Sequence, residues 1–188
     1  MRILIVKLGA IGDVLRTTSI LPGLRQQYPA AQIDWLTSTF GKELLVNNSI
    51  IEQIFTWEEK EALSSYDLVI GLEDEIEVCQ LVSSVGQTVK GAYAESDKVV
   101  YSPSAWFDMS VISKFGLEKA NQLKVQNRKT YQQHMADLLG IKVGQYVFSL
   151  TVEEIKYGQE IVRSFGFGAK EKIIGINTGA GGRWKYKA

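Results

Sequence analysis

Residues 2–24 read RILIVKLGAIGDVLRTTSILPGL. The opening RILIVKL is β-branched and leucine-rich with almost no polar alternation, which predicts a strand buried on both faces, as in a parallel sheet. Gly9 and Gly12 bracket a tight turn. Val14, Thr17, Leu21, Leu24 and Tyr28 then recur at helical spacing. Pro22 lies inside that helix; it removes a backbone donor and disfavours helical backbone at Leu21, so a kink or restart is expected near residues 18–21. A strand, a glycine turn and a helix make one βα unit.

The same alternation continues. AQIDWLTS, IIEQIFTW, YDLVIGLE and QTVKGAY read as further strands, with GKELLVNN, EEKEALSS and EIEVCQLVSSV as short helices between them. Strands alternating with helices imply an α/β fold with a Rossmann-like, doubly wound parallel sheet and helices on both faces. Residues 94–116 mix a short hairpin or strand with an aromatic loop around Trp106, Phe107, Asp108 and Met109. Residues 117–141 read as a polar helix pair closed by a capping Gly140. Thr151 and Glu154 form a capping box before another helix, and EKIIGINTG reads as a fresh buried strand. A glycine-rich, basic turn follows it.

The chain has 188 residues, of which 45% are hydrophobic and 22% charged, enough for one domain with a substantial core. Its 21 basic and 21 acidic side chains cancel, so no net positive field favours nucleic acid. The single cysteine, Cys79, cannot form an internal disulfide, which fits a reducing compartment. No apolar stretch approaches the roughly 20 residues that span a bilayer. A cytoplasmic location is expected, with at most peripheral contact at a membrane.

The candidate chemistry sits in two glycine turns. In GAIGD, Gly9 and Gly12 permit unusual backbone angles and close approach of a substrate. The spacing is neither that of dinucleotide sites nor of Walker loops. Asp13 has two readings: a helix N-cap, or a carboxylate at the carboxyl edge of the first strand that takes a proton from a hydroxyl. Lys7 interrupts a buried strand and must snorkel to its end or pair with an acid. In NTGAGGRWKYK, small residues let successive N–H groups converge on an anion, and Arg183, Lys185 and Lys187 add positive charge. His134 reads as surface or satisfied core, Cys79 as core, and the acidic run EDEIE near residue 73 as a solvated helix start. Metal-ligand spacing is absent.

Taken together, ILIVKLGAIGDVLRTTSILPGLRQQYP and IGINTGAGGRWKYKA resemble the two end motifs of the heptosyltransferase family, glycosyltransferase family 9. WFDMSVISKFG and NRKTYQQHMADLLGI are similar to one branch of it. The resemblance covers essentially the whole chain. It implies the N-terminal half of a GT-B glycosyltransferase, truncated: residues 1–170 as an acceptor-side Rossmann-like domain and 171–188 as the start of a donor-binding domain.

The family reaction is an inverting, metal-independent transfer of a sugar, typically heptose from ADP-heptose, to a lipid-linked, lipopolysaccharide-core type acceptor. The resemblance makes Asp13 the general base, with Lys7, Gly9, Gly12 and Arg16 on the acceptor side. It makes Thr178, Gly179, Ala180 and Lys187 the diphosphate-binding groups. No cofactor or metal is expected, and the 188 residues alone are expected to be inactive; the strand IIGIN of the unfinished second domain is left to add to the first sheet, to pair with another copy in self-association, or to stay disordered. Two other readings stand beside it. One is a non-catalytic saccharide- or nucleotide-binding α/β module. The other is a redox or nucleotide enzyme, against which the missing glycine and Walker patterns count.

Overall fold

A computed structural model of the chain describes residues 1–103, 115–167 and 171–176. These divide into two compact units, Met1–Ser149 and Leu150–Ala188.

The first unit is built on a six-stranded sheet. Its strands are β1 (Arg2–Val6), β2 (Gln32–Thr37), β3 (Gln53–Thr56), β4 (Tyr66–Gly71), β5 (Gly86–Glu95) and β6 (Lys98–Tyr101), in the order β3-β2-β1-β4-β5-β6. The first five are parallel. β6 pairs antiparallel with β5 through a hairpin closed by Ser96 and Asp97, whose φ of 46° and 61° match the turn type that follows strand twist. This is the α/β, doubly wound class that the strand–helix alternation predicts.

β1 shows why its sequence carries no alternation. Ile3 and Ile5 join one apolar cluster with Val14, Ile20, Leu21 and Leu24. Leu4 and Val6 join another with Leu36, Tyr66, Val69, Val78 and Val82. Successive side chains point to opposite faces, and both faces are covered. Where β4 and β5 pair at Gly71 and Gly91, the backbones approach so closely that a Cβ on Gly91 would strike the Gly71 carbonyl; Gly91 also has a φ of +96°.

The helix after β1 is interrupted as Pro22 predicts. α1 spans Ile11–Thr17, a 3₁₀ turn spans Thr18–Ile20, and α2 spans Leu21–Gln27 with Pro22 in its first turn, where no donor is required. The buried hydroxyls of Thr17, Thr18 and Ser19 donate back to the carbonyls of Asp13, Leu15 and Arg16 at 2.7–2.8 Å. α3 (Thr39–Leu45), a 3₁₀ turn (Trp57–Ala62) and α4 (Ile76–Val85) complete the crossovers.

α5 (Leu117–Gln126) and α6 (Tyr131–Leu139) form the polar helix pair. Gly140 caps α6 in the left-handed region. The chain then returns to the sheet unit: Gly144 N–H donates to Ser19 O, and Val147 N–H to the Thr18 hydroxyl.

The second unit contains α7 (Val152–Ser164), started by the capping box of Thr151 and Glu154 that its sequence predicts. Residues 171–176 depart from expectation. They form no strand, and Ile174 is 83% exposed. A strand exists only as a member of a ladder, and among the described residues none pairs with this one.

Candidate functional site

In this strand order the chain runs outward from β1 to β3, then crosses back to place β4 on the other side of β1. The direction reverses between β1 and β4. Loops leaving the carboxyl ends of those two strands diverge there and leave a crevice, the usual ligand position in open α/β sheets. It measures about 890 Å³. Lys7, Leu8, Gly9, Ala10 and Asp13 line it from β1, residues 73–78 from β4, and Trp57 from the end of β3.

Asp13 is the third residue of α1, and its N–H donates to Ala10 O at 2.8 Å. The N-cap position belongs to Ala10, which offers no side-chain acceptor, so the capping reading of Asp13 is corrected. Its carboxylate pairs with Arg16 one turn on and remains 28% exposed at the crevice. The Arg16 guanidinium stacks on the Tyr131 ring of α6, 4.3 Å from its centroid. Neither Gly9 nor Gly12 adopts positive φ, and a Cβ at either would meet nothing within 4 Å. Their use is therefore open access to the backbone rather than a strained turn.

Lys7 pairs with an acid, and the acid is Glu73. The Lys7 side chain is 2% exposed; its Nζ lies 3.1 Å from Glu73 Oε1 and donates to Leu72 O at 3.2 Å. Glu73 Oε1 also accepts from the N–H groups of Leu8 at 2.6 Å and Gly9 at 3.0 Å. Burial pushes the Glu73 carboxyl above the usual carboxylate range, against the Lys7 ammonium and the two amides, which favour its charged form.

Glu73 departs from the solvated helix start expected of EDEIE, with a side chain only 12% exposed, whereas its neighbours Glu75 and Glu77 are exposed. The signal for it was available. A lysine ending a buried strand requires an acid, and parallel pairing of β1 with β4 sets Val6 opposite Gly71, two residues before Glu73.

Asp74 accepts from the Tyr101 hydroxyl at 3.2 Å. Among the described residues, the crevice wall therefore presents several carboxylates, one aromatic ring and a lysine already paired. Such a wall suits hydroxyl donors better than phosphates.

His134 sits 2.9 Å from Asn127 Oδ1 on the α5–α6 pair, and burial holds its imidazole below the usual range. Cys79 is buried. Among the described residues no group of three or more His, Cys, Asp or Glu is placed to hold a metal, and no helix is long and apolar enough to cross a membrane. Thr178, Gly179, Ala180 and Lys187 lie outside the described residues, as does the loop around Trp106.

No protein-family model matches the chain, and no curated protein matches it. Solved structures do. The glycosyl transferase family 9 protein from Veillonella parvula DSM 2008 aligns over 96% of this chain and 54% of its own, with a TM-score of 0.71 and 18% identity. The E. coli heptosyltransferase WaaC with ADP-2-deoxy-2-fluoro heptose aligns over 77% and 50%, with a TM-score of 0.50 and 18% identity. The fold that the sequence resemblance implied is the fold found. The chain spans about half the length of the structures it matches.

Proposed function

We propose that the chain is the acceptor-side part of an inverting glycosyltransferase of the heptosyltransferase type, with Asp13 as its general base. One observation carries the reading: the Asp13 carboxylate borders the crevice where β1 and β4 part, in a fold shared with a glycosyltransferase family 9 protein. In this reading residues 1–170 serve the acceptor and 171–188 open the donor side. The donor is a nucleoside-diphosphate sugar, ADP-heptose by likeness to the ligand of WaaC. The acceptor is a lipid-linked saccharide of the lipopolysaccharide-core type, met in the cytoplasm at the inner membrane face.

The chemistry asks for one carboxylate. A sugar hydroxyl is a poor nucleophile until its proton has an acceptor. Asp13 takes that proton as the hydroxyl oxygen bonds to the anomeric carbon, and the bond from that carbon to the diphosphate breaks with its electron pair. Attack from the face opposite the leaving group inverts the centre. The diphosphate needs dipoles and cations where its charge develops, the part given to Thr178, Gly179, Ala180 and Lys187. No metal enters this scheme. Trp57 supplies an apolar face for a sugar ring, and the exposed crevice carboxylates of Glu75 and Glu77 accept from its hydroxyls.

The test is sugar transfer from ADP-heptose to lipid A bearing its inner-core sugar, read by product mass. We expect no turnover from residues 1–188 alone, and turnover once a donor-binding half is joined to them. In that active form Asp13→Asn lowers kcat by about 10³-fold with the fold intact. A near-normal rate in Asp13→Asn removes Asp13 from the mechanism. If residues 1–188 instead bind a saccharide or nucleotide and the joined form never turns over, the chain is a binding module. Self-association through residues 171–188 is part of the proposal and is read by sedimentation.

A further inference from the structure

We propose that Glu73 is a positioning residue for the Asp13 turn, its carboxylate latching the Leu8–Gly9 backbone to the carboxyl end of β4. The consequence for sugar transfer rests on the function proposed above; the latch does not.

The turn that delivers Asp13 has few restraints of its own. Gly9 and Ala10 carry almost no side chain, a Cβ at Gly9 would touch nothing within 4 Å, and the Ala10 N-cap lacks a side-chain bond. α1 has only seven residues. Restraint comes from 65 residues along the chain. The Lys7 ammonium, the Leu8 N–H and the Gly9 N–H converge on the single oxygen Oε1 of Glu73, at 3.1, 2.6 and 3.0 Å. The adjoining backbone bond from Leu72 N–H to Val6 O, 3.0 Å, ties the same two chain segments together.

Hydrogen bonds to a carboxylate are roughly twice as strong as neutral ones, and in a buried setting their loss leaves amides unpaired. Glu73 is 12% exposed, so little water replaces it. Lys7 then has a defined part: it keeps a carboxylate tolerable where burial disfavours one. Glutamate reaches from β4 to β1, whereas aspartate is one methylene shorter. Catalytic groups need placement within about 0.5 Å, and a misplacement of about 1 Å costs about 10²-fold in rate. An anchor on the entry to a short helix supplies that placement.

The experiment uses the 188-residue chain and two NMR readouts: hydrogen exchange at the Leu8 and Gly9 amides, and the carboxyl carbon signal of Asp13. Glu73→Ala is expected to speed exchange at both amides about tenfold or more and to move the Asp13 signal. Lys7→Met with Glu73→Gln keeps an acceptor oxygen without a buried charge, and restores both readouts. Glu52→Ala is the control. Glu52 also holds a backbone amide, Ile33 N–H at 2.6 Å, and an arginine, Arg25 at 3.0 Å, so its loss destabilises the fold without moving either readout.

Unchanged amides and Asp13 signal in Glu73→Ala, equal changes in Glu52→Ala, or failure of the double variant to restore them would overturn the latch. Should Glu73→Ala not fold, Glu73→Asp is read in its place: its side chain is one methylene shorter, and the same amides are expected to loosen. In the active transferase, Glu73→Ala lowers kcat about tenfold to hundredfold and leaves KM within about twofold. If the wild type shows no transfer, the proposed function fails while the NMR result still decides the latch.

Discussion

Two stretches of this chain read almost alike and end in opposite states. RILIV at residues 2–6 and EKIIGI at 171–176 are both short, apolar and rich in β-branched residues. The first has parallel neighbours on both edges and apolar clusters on both faces, with Ile3, Leu4, Ile5 and Val6 fully buried. The second has no ladder among the described residues, and its isoleucines face solvent. An apolar run therefore states a capacity to be a strand. Neighbours at the right register convert that capacity into structure.

The comparison breaks most visibly in β1. Ile5→Ala is expected to destabilise the first unit by about 4 kcal/mol, because it removes buried methylenes and leaves a cavity that a sheet cannot close. Urea unfolding checks this. Lys7→Met, at the end of the same strand, is expected to cost about 3 kcal/mol at neutral pH by leaving the Glu73 carboxylate without its partner.

A smaller effect is a pH slope. The Glu73 carboxyl titrates above its ordinary value of 4.5 when folded. Between the ordinary and the raised value the folded chain keeps a proton that the unfolded chain releases. Its contribution is therefore complete below the ordinary value and is lost as pH rises through the raised one. Glu73→Gln should flatten that part of a stability profile taken from about pH 4 to 7. The cost of Lys7→Met should shrink toward the acid end, where Glu73 is neutral. The smallest effect sharpens the contrast: Ile174→Ala, matched in chemistry to Ile5→Ala, should change stability by less than about 0.5 kcal/mol. A loss comparable to that of Ile5→Ala would mean that residues 171–176 are packed in solution.

Local signals are legible in this sequence because they depend on neighbours a few residues away. Pro22 stops one helix and starts the next within a single turn. The capping box at Thr151 and the left-handed Gly140 follow from the chemistry of helix ends. Continuous apolar strands separated by helices implied a parallel sheet, and its carboxyl edge holds the crevice beside Asp13.

The site's polar arrangement was less legible. EDEIE has the composition of a solvated helix start, and nothing local separates Glu73 from Glu75. Asp13 has the residue type and position of an N-cap, yet the N-cap lies three residues earlier, at Ala10.

The sequence by itself determined the α/β class, the order of strands and helices, and the glycine turn that carries Asp13, since each follows from periodicity and turn chemistry within a short window. Only the tertiary structure decided which acid meets Lys7, that Asp13 stands free of capping duty at the crevice, and that residues 171–176 form no strand. Each of those outcomes depends on groups far apart in the chain being brought to hydrogen-bonding distance or left without a neighbour. Strand pairing sets that, and no single segment encodes it.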